Sequence, residues 1–440
     1  MEEISIEEVE NNDRELLEVA PALISVHPFE KSVVVAIGPE LRVFDLEETD
    51  PMNIVEAYSN VLTVLCLFLC FCLDRGSRQI SIVDDSGDPL HSHSIRAICF
   101  GANGSLFASA GDDKLVKIWS ADSWKCIRTV LSEKRVSAVA ISHDGLFVSF
   151  ADKFGVVWVV GFGGDNEKNK AAPIFAHYCS IITSLLFSPD GRFIVSADRD
   201  FKIRATVFPR KPLNGAHEIQ SFCLGHTEYI SCLVFICTLE YPKGFLLSGS
   251  GDSTVRLWDF TSGSLLSTCE VGVQAGLVES NGKDEVLCPA VTDICASPDG
   301  SVVAVAIQRQ IVTMGDIFSP TSLDMGSFGM HIWLVTGASN LPSFDSASLA
   351  CVKVVSGFQK DSPHFTEHGP VMLENNDIPG GDKLLETMQG SISIENERKA
   401  LGTAIEAVKK AMHNLLIKRQ YSDEKREFRK RGRNDRKLKQ

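Results

Sequence analysis

One stretch recurs with variations along this 440-residue chain, and that recurrence restricts its possible folds more than any other feature. The fullest copy is residues 225–260, GHTEYISCLVFICTLEYPKGFLLSGSGDSTVRLWDF. Within it, 230–235, 245–248 and 254–259 read as strands with one buried face. His226, Ser248, Asp252 and Trp258 stand in an order that suggests a buried hydrogen-bond chain. An Asp held in the tight turn between two strands accepts from the His, and the His carries the chain onward to the hydroxyl and the indole, so each buried polar group finds a partner. A His, a Ser and an Asp can also form a hydrolase triad. No strand–turn–helix elbow surrounds Ser248, and Trp258 follows Asp252 at the repeat spacing, so the structural use is the better reading.

The spacing returns elsewhere. Ser109, Asp113 and Trp119 repeat it, with His91 or His93 as the candidate histidine. Asp152 and Trp158 repeat it with Val148 where the hydroxyl would stand, and His177, Ser196 and Asp200 repeat it with Thr206 where the Trp would stand. A further copy begins near residue 290, and its turn at 297–300 matches those at 142–145 and 188–191. The pattern resembles WD40 repeats, and a period of about 40–45 residues with a W-D ending is a propeller signature. Such a unit cannot bury its hydrophobic face alone, so units stack around an axis. The expected fold is all-β, a WD40 β-propeller of about seven blades, two of them irregular, followed by a C-terminal helical and basic tail.

Composition bounds the rest. Apolar residues make up 44% and charged residues 23%, as in a soluble globular protein. The formal net charge of −14 argues against nucleic-acid binding over the whole surface, but the N-terminal stretch is acidic whereas the C-terminal end is dominated by Lys and Arg. The 13 cysteines are scattered and form no paired C-x-x-C pattern, which fits buried thiols in a reducing, intracellular compartment. The acidic N-terminus has no apolar core of a signal peptide. No glycine fingerprint opens a helix, no metal-ligand cluster is present and no nucleophile has a convincing base. The reading is therefore a protein that is not an enzyme, with no cofactor and no metal.

By organisation, residues 1–357 read as the propeller, irregular at 51–83 and 308–330, residues 358–390 as a polar linker, and residues 391–440 as an amphipathic helix and basic tail. The run 61–73, VLTVLCLFLCFCL, is apolar but falls short of the ~20 residues of a spanning helix, so no membrane is implied. It fits no blade cleanly, and a retained intron would explain it. After Ile307 a blade looks incomplete, as a splice variant would leave it. Ala400, Leu401, Ala404, Ile405, Val408, Ala411, Met412, Leu415 and Leu416 form an apolar stripe suited to docking on the propeller or a partner. The basic run after it serves either as a nuclear address or as a phosphate contact.

The fourth unit is the most informative for function. In SADRDFKIR, Arg199, Lys202 and Arg204 lie around a turn and the strand after it, and Lys202 and Arg204 share a face. GDDKLVKIW, SPDGRFIVSADRDFKIR, IQSFCLGHTEYIS and SGSGDSTVRLWDF together resemble the non-catalytic WD-repeat subunit of the tRNA (guanine-N7-)-methyltransferase in its plant form. The resemblance implies an auxiliary subunit that forms a heterodimer with a catalytic S-adenosylmethionine-dependent tRNA methyltransferase subunit, steadies it, and helps to hold tRNA while a variable-loop guanine is methylated on N7, in the nucleus. It places Arg199, Lys202 and Arg204 on the partner-facing surface. Phe201 stands where the family usually has an acidic residue. The alternative is a generic WD40 scaffold for another nuclear complex, in chromatin or ubiquitin transfer, and the cationic cluster favours the first reading.

Overall fold

The computed structural model describes residues 19–46, 91–162, 171–178, 180–216, 218–238, 241–274, 289–308, 320–326, 331–340, 349–358 and 370–388. These form seven antiparallel sheets in chain order. The first contains Leu23–Val26, Ser32–Ile37 and Glu40–Asp45. Four regular four-stranded sheets follow. They begin with the innermost strands Ile95–Gly101, Val136–Ile141, Ile182–Phe187 and Ile230–Ile236, and each meanders outward from there. The sixth shows Val291–Ala296 paired with Val303–Ile307, and the seventh is built from Ser322–Met325, Ile332–Ser339, Leu349–Ser356 and Val371–Met372.

The sheets stack face to face into a ring, because a half-buried strand pattern leaves each sheet with apolar faces that only its neighbours can cover. Val34, Val43, Phe107 and Trp119 join the first and second sheets, and Ile118, Val139, Val148 and Phe150 join the second and third. Val157, Ile174, Ile182 and Ile194 join the third and fourth; Val195, Ile203, Leu246 and Trp258 join the fourth and fifth. Comparable cores link the fifth to the sixth, the sixth to the seventh, and the seventh back to the first. The ring is closed by the start of the chain: Ala20–Pro21 pairs with Ser339 and Ala338 of the seventh sheet.

Three turns at one end of the sheets share a single chemistry. Ser142, Ser188 and Ser297 each donate to the carboxylate two residues on, at 2.6, 2.6 and 2.5 Å, and each accepts from the backbone N–H five residues on. Gly145, Gly191 and Gly300 then take φ of +68°, +67° and +71°, a left-handed conformation that glycine adopts without steric cost.

Two expectations change. Residues 371–388, assigned by composition to a polar linker, are part of the fold: Val371–Met372 pairs with Ser356 and Val355, and the helix Gly381–Met388 buries Leu384, Leu385 and Met388 against Phe44 and Trp333. Within the stretch expected to be irregular after 307, Ser322–Met325 is an innermost strand paired with Ile332–Val335. The apolar run 61–73, the amphipathic stripe and the basic tail lie outside the described residues. Among the described residues no helix is long and apolar enough to cross a membrane.

If the helix is integral to the core, Leu384→Ala will destabilise the protein by about 2–5 kcal/mol, as a fully buried leucine does. Chemical denaturation of the purified chain measures this, and an unchanged midpoint would return the segment to linker status.

Candidate functional site

The buried polar chains form at the same end of the second to fifth sheets, where the turn between two strands meets the loop entering the sheet. In the fifth sheet, His226 Nδ1 lies 2.9 Å from Asp252 Oδ2, His226 Nε2 lies 2.7 Å from Ser248 Oγ, and Trp258 Nε1 donates to Ser248 Oγ at 2.8 Å. An indole N–H can only donate, so the bonds run from Trp258 inward to the carboxylate rather than outward from the His. The second sheet repeats the arrangement with His91, not His93. His91 Nδ1 is 2.7 Å from Asp113 Oδ2 and Nε2 is 2.8 Å from Ser109, while Trp119 Nε1 donates to Ser109 at 3.0 Å.

The fourth sheet departs from the expected spacing. His177 Nδ1 meets Asp198 Oδ2 at 2.9 Å and Nε2 meets Ser196 Oγ at 2.8 Å, so the carboxylate comes from the end of the strand and not from Asp200 in the turn. Thr206 occupies the tryptophan position, opposite Ile194 as Trp258 is opposite Leu246, and its hydroxyl accepts from Arg204 Nε at 3.0 Å. The third sheet departs further. Trp158 pairs with Phe150, the register position held by Lys117, Arg204 and Arg256 elsewhere, so it is not the counterpart of Trp258, and Phe150 rather than Val148 replaces the serine. Trp158 Nε1 donates directly to Asp152 at 3.0 Å.

Burial opposes ionisation of Asp252, but hydrogen bonds from His226, Thr254 and the Thr227 N–H outweigh it and hold the carboxyl below its ordinary range. Asp113 is lowered in the same way, with His91, Leu115 and Ser92 as donors. These groups stabilise and orient turns; none is arranged to attack a substrate. Burial pushes the thiols of Cys99 and Cys223 up to about 12, far from a reactive thiolate.

The three cations of the fourth sheet have different surroundings. Arg199 is half-buried in the turn, with its N–H donating to Ile181 O at 2.9 Å. Lys202 is exposed, and its N–H is fixed by Asp198 Oδ1 at 3.1 Å. Arg204 turns inward to the neighbouring sheet: its guanidinium lies 4.6 Å from the Phe175 ring centroid and Nη1 donates to Ala176 O at 3.3 Å. Sequence reasoning missed the side chains around Lys202. Antiparallel meanders place the turns and entry loops of all sheets on one face, and on the second to fourth sheets that face exposes Leu131, Phe154, Tyr178, Phe201 and Leu224 among Lys114, Lys134, Lys153 and Lys202. Tyr178 is 87% and Phe154 58% exposed, and Lys134 Nζ lies 5.4 Å above the Phe154 ring. The signal was available as large apolar residues in turns, where nothing in the core requires them.

Residues 165–315 match the family model described as the tRNA methyltransferase TRM82 WD40 domain, and residues 88–120 match that of the WD domain, G-beta repeat. The chain is 38% identical over 217 residues to the tRNA (guanine-N(7)-)-methyltransferase non-catalytic subunit wdr4 of Danio rerio, covering 49% of this chain and 48% of the relative. It is 32% identical over 231 residues to the corresponding human subunit WDR4, covering 52% and 53%. The chain thus spans about half the length of the curated relatives it matches. Among solved structures, that of U3-55K aligns with a TM-score of 0.52 at 16% identity over 72% of this chain and 90% of that one, a likeness of fold.

Because Asp252 and Asp113 are held below the ordinary carboxylate range, the stability they contribute is complete above about pH 4 and drains away as pH falls through their lowered folded values. Asp252→Asn will flatten the acid limb of a stability–pH profile and cost about 1–3 kcal/mol at neutral pH. An unaltered acid limb would show that the carboxylate is not stabilised by its donors.

Over about half of its length this chain, a closed ring of antiparallel sheets, is similar to the non-catalytic WD-repeat subunits of tRNA (guanine-N7-)-methyltransferases.

Proposed function

We propose that this chain is the non-catalytic auxiliary subunit of a tRNA (guanine-N7-)-methyltransferase, in the form the subunit takes in plants. It binds and steadies a catalytic S-adenosylmethionine-dependent subunit as a heterodimer while a guanine of the tRNA variable loop is methylated on N7. The similarity to subunits of that description over about half of the chain carries the reading. In this proposal the propeller has seven blades and supplies no reacting group. Its contribution is to hold the catalytic subunit in a competent shape and to add positive surface to the path of the RNA. The basic run after residue 420 supports a nuclear location.

The partner site is the turn face of the second to fourth sheets. Exposed lysines on a chain of net charge −14 set a local positive potential that selects a partner carrying carboxylates, and the aromatic and leucine side chains between them supply apolar area. Lys202 acts by direct contact. The backbone N–H of Arg199, bonded to Ile181 O, fixes the turn on which Lys202 and Phe201 sit, independently of its side chain. Arg204 acts through the stacking of the fourth sheet on the third.

The surface lysines and Arg204 therefore respond differently to substitution. Lys153→Glu with Lys202→Glu will leave the propeller folded and weaken capture of the catalytic subunit by at least about tenfold, whereas Arg204→Glu will lower the unfolding temperature. Co-purification with the catalytic subunit, followed by N7 methylation of tRNA with and without this chain, is the measurement. Full capture by the lysine double variant would refute the surface, and a folded wild-type chain that fails to raise methylation would refute the function.

A further inference from the structure

The innermost strands of all seven sheets line a central channel, and the chain enters the fold at one of its mouths. Val19 O accepts from Arg96 Nη1 at 3.2 Å, and Ala20–Pro21 then pairs with the seventh sheet, so residues 1–18 are joined to the body at this point. Pro21 lines the mouth, a cavity of about 260 Å³ shared with Arg96, Asp112, Arg135, Lys153 and Asp293. The charge of that mouth is uneven. On the sixth sheet, Asp293 accepts from Ser322 Oγ at 2.9 Å and from the Leu323 N–H at 3.0 Å. On the second, Asp112 lies 2.7 Å from Arg96. The third sheet brings two cations together, since the Lys153 N–H donates to Arg135 O at 2.8 Å. Lys114 and Lys134 stand exposed on neighbouring loops, and with Glu133 exposed beside them the balance on this side of the mouth is still positive.

The opposite charge is carried by the segment joined there. Residues 1–18 hold eight carboxylates and one arginine, hence half of the chain's formal charge of −14. Ile4, Ile6 and Val9 stand among these acids, and the loops around the lysines expose Leu131 and Phe154. Reach sets no limit, because eighteen residues extend on the order of 60 Å and Lys153 lines the same cavity as Pro21. A segment tethered to its own site meets it at an effective concentration of about 1 mM, with no second molecule required.

We propose that residues 1–18 dock across the channel mouth onto the lysines of the second and third sheets, as an acidic ligand that the chain carries for its own surface. The proposal rests on the reading of the turn face as a surface for a partner bearing carboxylates, and adds a control to it: the segment holds Lys134 and Lys153 until the catalytic subunit displaces it. The two sets of acids compete for the same cations, so capture of the partner is weakened by the fraction of time the segment is docked. Docking for nine-tenths of the time weakens capture about tenfold. Attraction between exposed charges is screened within about 8 Å at physiological salt, so the hold of the segment loosens as salt rises.

Carbodiimide treatment of the full chain, dilute and at about 50 mM salt, joins carboxylates to the lysine amines they touch, and peptide mapping of the monomer locates the bonds. Acids of residues 1–18 will be found on Lys134 and Lys153 at least about tenfold more often than on Lys211 and Lys243, exposed at the opposite end of the sheets, and about 0.5 M salt will erase the preference. Bonds spread evenly over both ends, or formed only between two chains, would overturn the docking. This mapping uses no catalytic subunit, so it judges the segment separately from the function of the complex. Glu7→Gln, Glu8→Gln and Glu10→Gln together will reduce the bonds to Lys134 and Lys153 and raise capture of the catalytic subunit by about fivefold at low salt. Capture that stays level in this variant while the mapping holds would overturn the competition.

Discussion

Closure of the ring is the constraint on which everything else rests. A sheet whose strands are apolar on both faces can be satisfied only between two others, so a linear stack would always leave its first and last members exposed. Here the first and last members cover each other. Ala22, Ile24 and Val35 meet Val335, Val352 and Val354 across the seam, and Leu384 and Met388 complete the same core from beyond the last strand. Segments some three hundred positions apart must therefore meet before the hydrophobic gain of the terminal sheets is realised. The polar bonds at the seam are correspondingly dense: Thr321 Oγ1 donates to Ala22 O at 2.7 Å and Thr292 Oγ1 to Pro320 O at 3.0 Å, while Asp293 accepts from Ser322 at 2.9 Å and Asp324 from Ser25 at 3.1 Å. Those hydroxyls fix the angular position of each innermost strand, which apolar contact alone leaves free to slide.

With the ring fixed, each sheet still has to hold its own turn, and the sheets do so in more than one way. The second and fifth use the full chain of Trp, Ser, His and Asp. The fourth keeps His177 and Ser196, takes its carboxylate from the strand end, and replaces the indole by the Thr206 hydroxyl with Arg204 as donor. In the third, Trp158 reaches Asp152 with no intermediary. What is common is a carboxylate at the turn with both oxygens accepting hydrogen bonds, because a buried unpaired carboxylate would cost several kcal/mol.

This explains which parts of the architecture were legible in the sequence. The strands of residues 225–260 and the three Ser-to-Gly turns could be read because alternation and turn chemistry are local. The identity of the carboxylate in the fourth sheet was not legible. Asp198 and Asp200 are two apart in a strand-to-turn segment, and only the position of His177 decides between them. Trp158 misled for a similar reason, since its six-residue separation from Asp152 copies that of Trp258 from Asp252, while the register places it two positions earlier on its strand. The helix Gly381–Met388 was hidden because prolines and polar residues dominate the window around it, and its three buried side chains form a stripe too short to register as a pattern.

The turns also separate what the fold needs from what the proposed partner surface needs. Lys114, Gly155, Phe201 and Ser253 occupy equivalent turn positions, each with positive φ: 65°, 83°, 69° and 62°. Glycine suits that conformation, whereas the Cβ of Lys114, Phe201 and Ser253 is crowded there at a cost of about 1–2 kcal/mol each. Phe201 remains 38% exposed, so burial does not offset its share. The fold would be better served by glycine at 201. In the proposed partner surface, an aromatic ring held out by a rigid turn, next to Lys202 and within the face that also carries Phe154, Tyr178 and Leu224, supplies apolar area whose conformational entropy is already low. The buried chain of His177, Ser196 and Asp198 beneath it fixes the turn, and so, in the proposed surface, the direction in which Phe201 and Lys202 project.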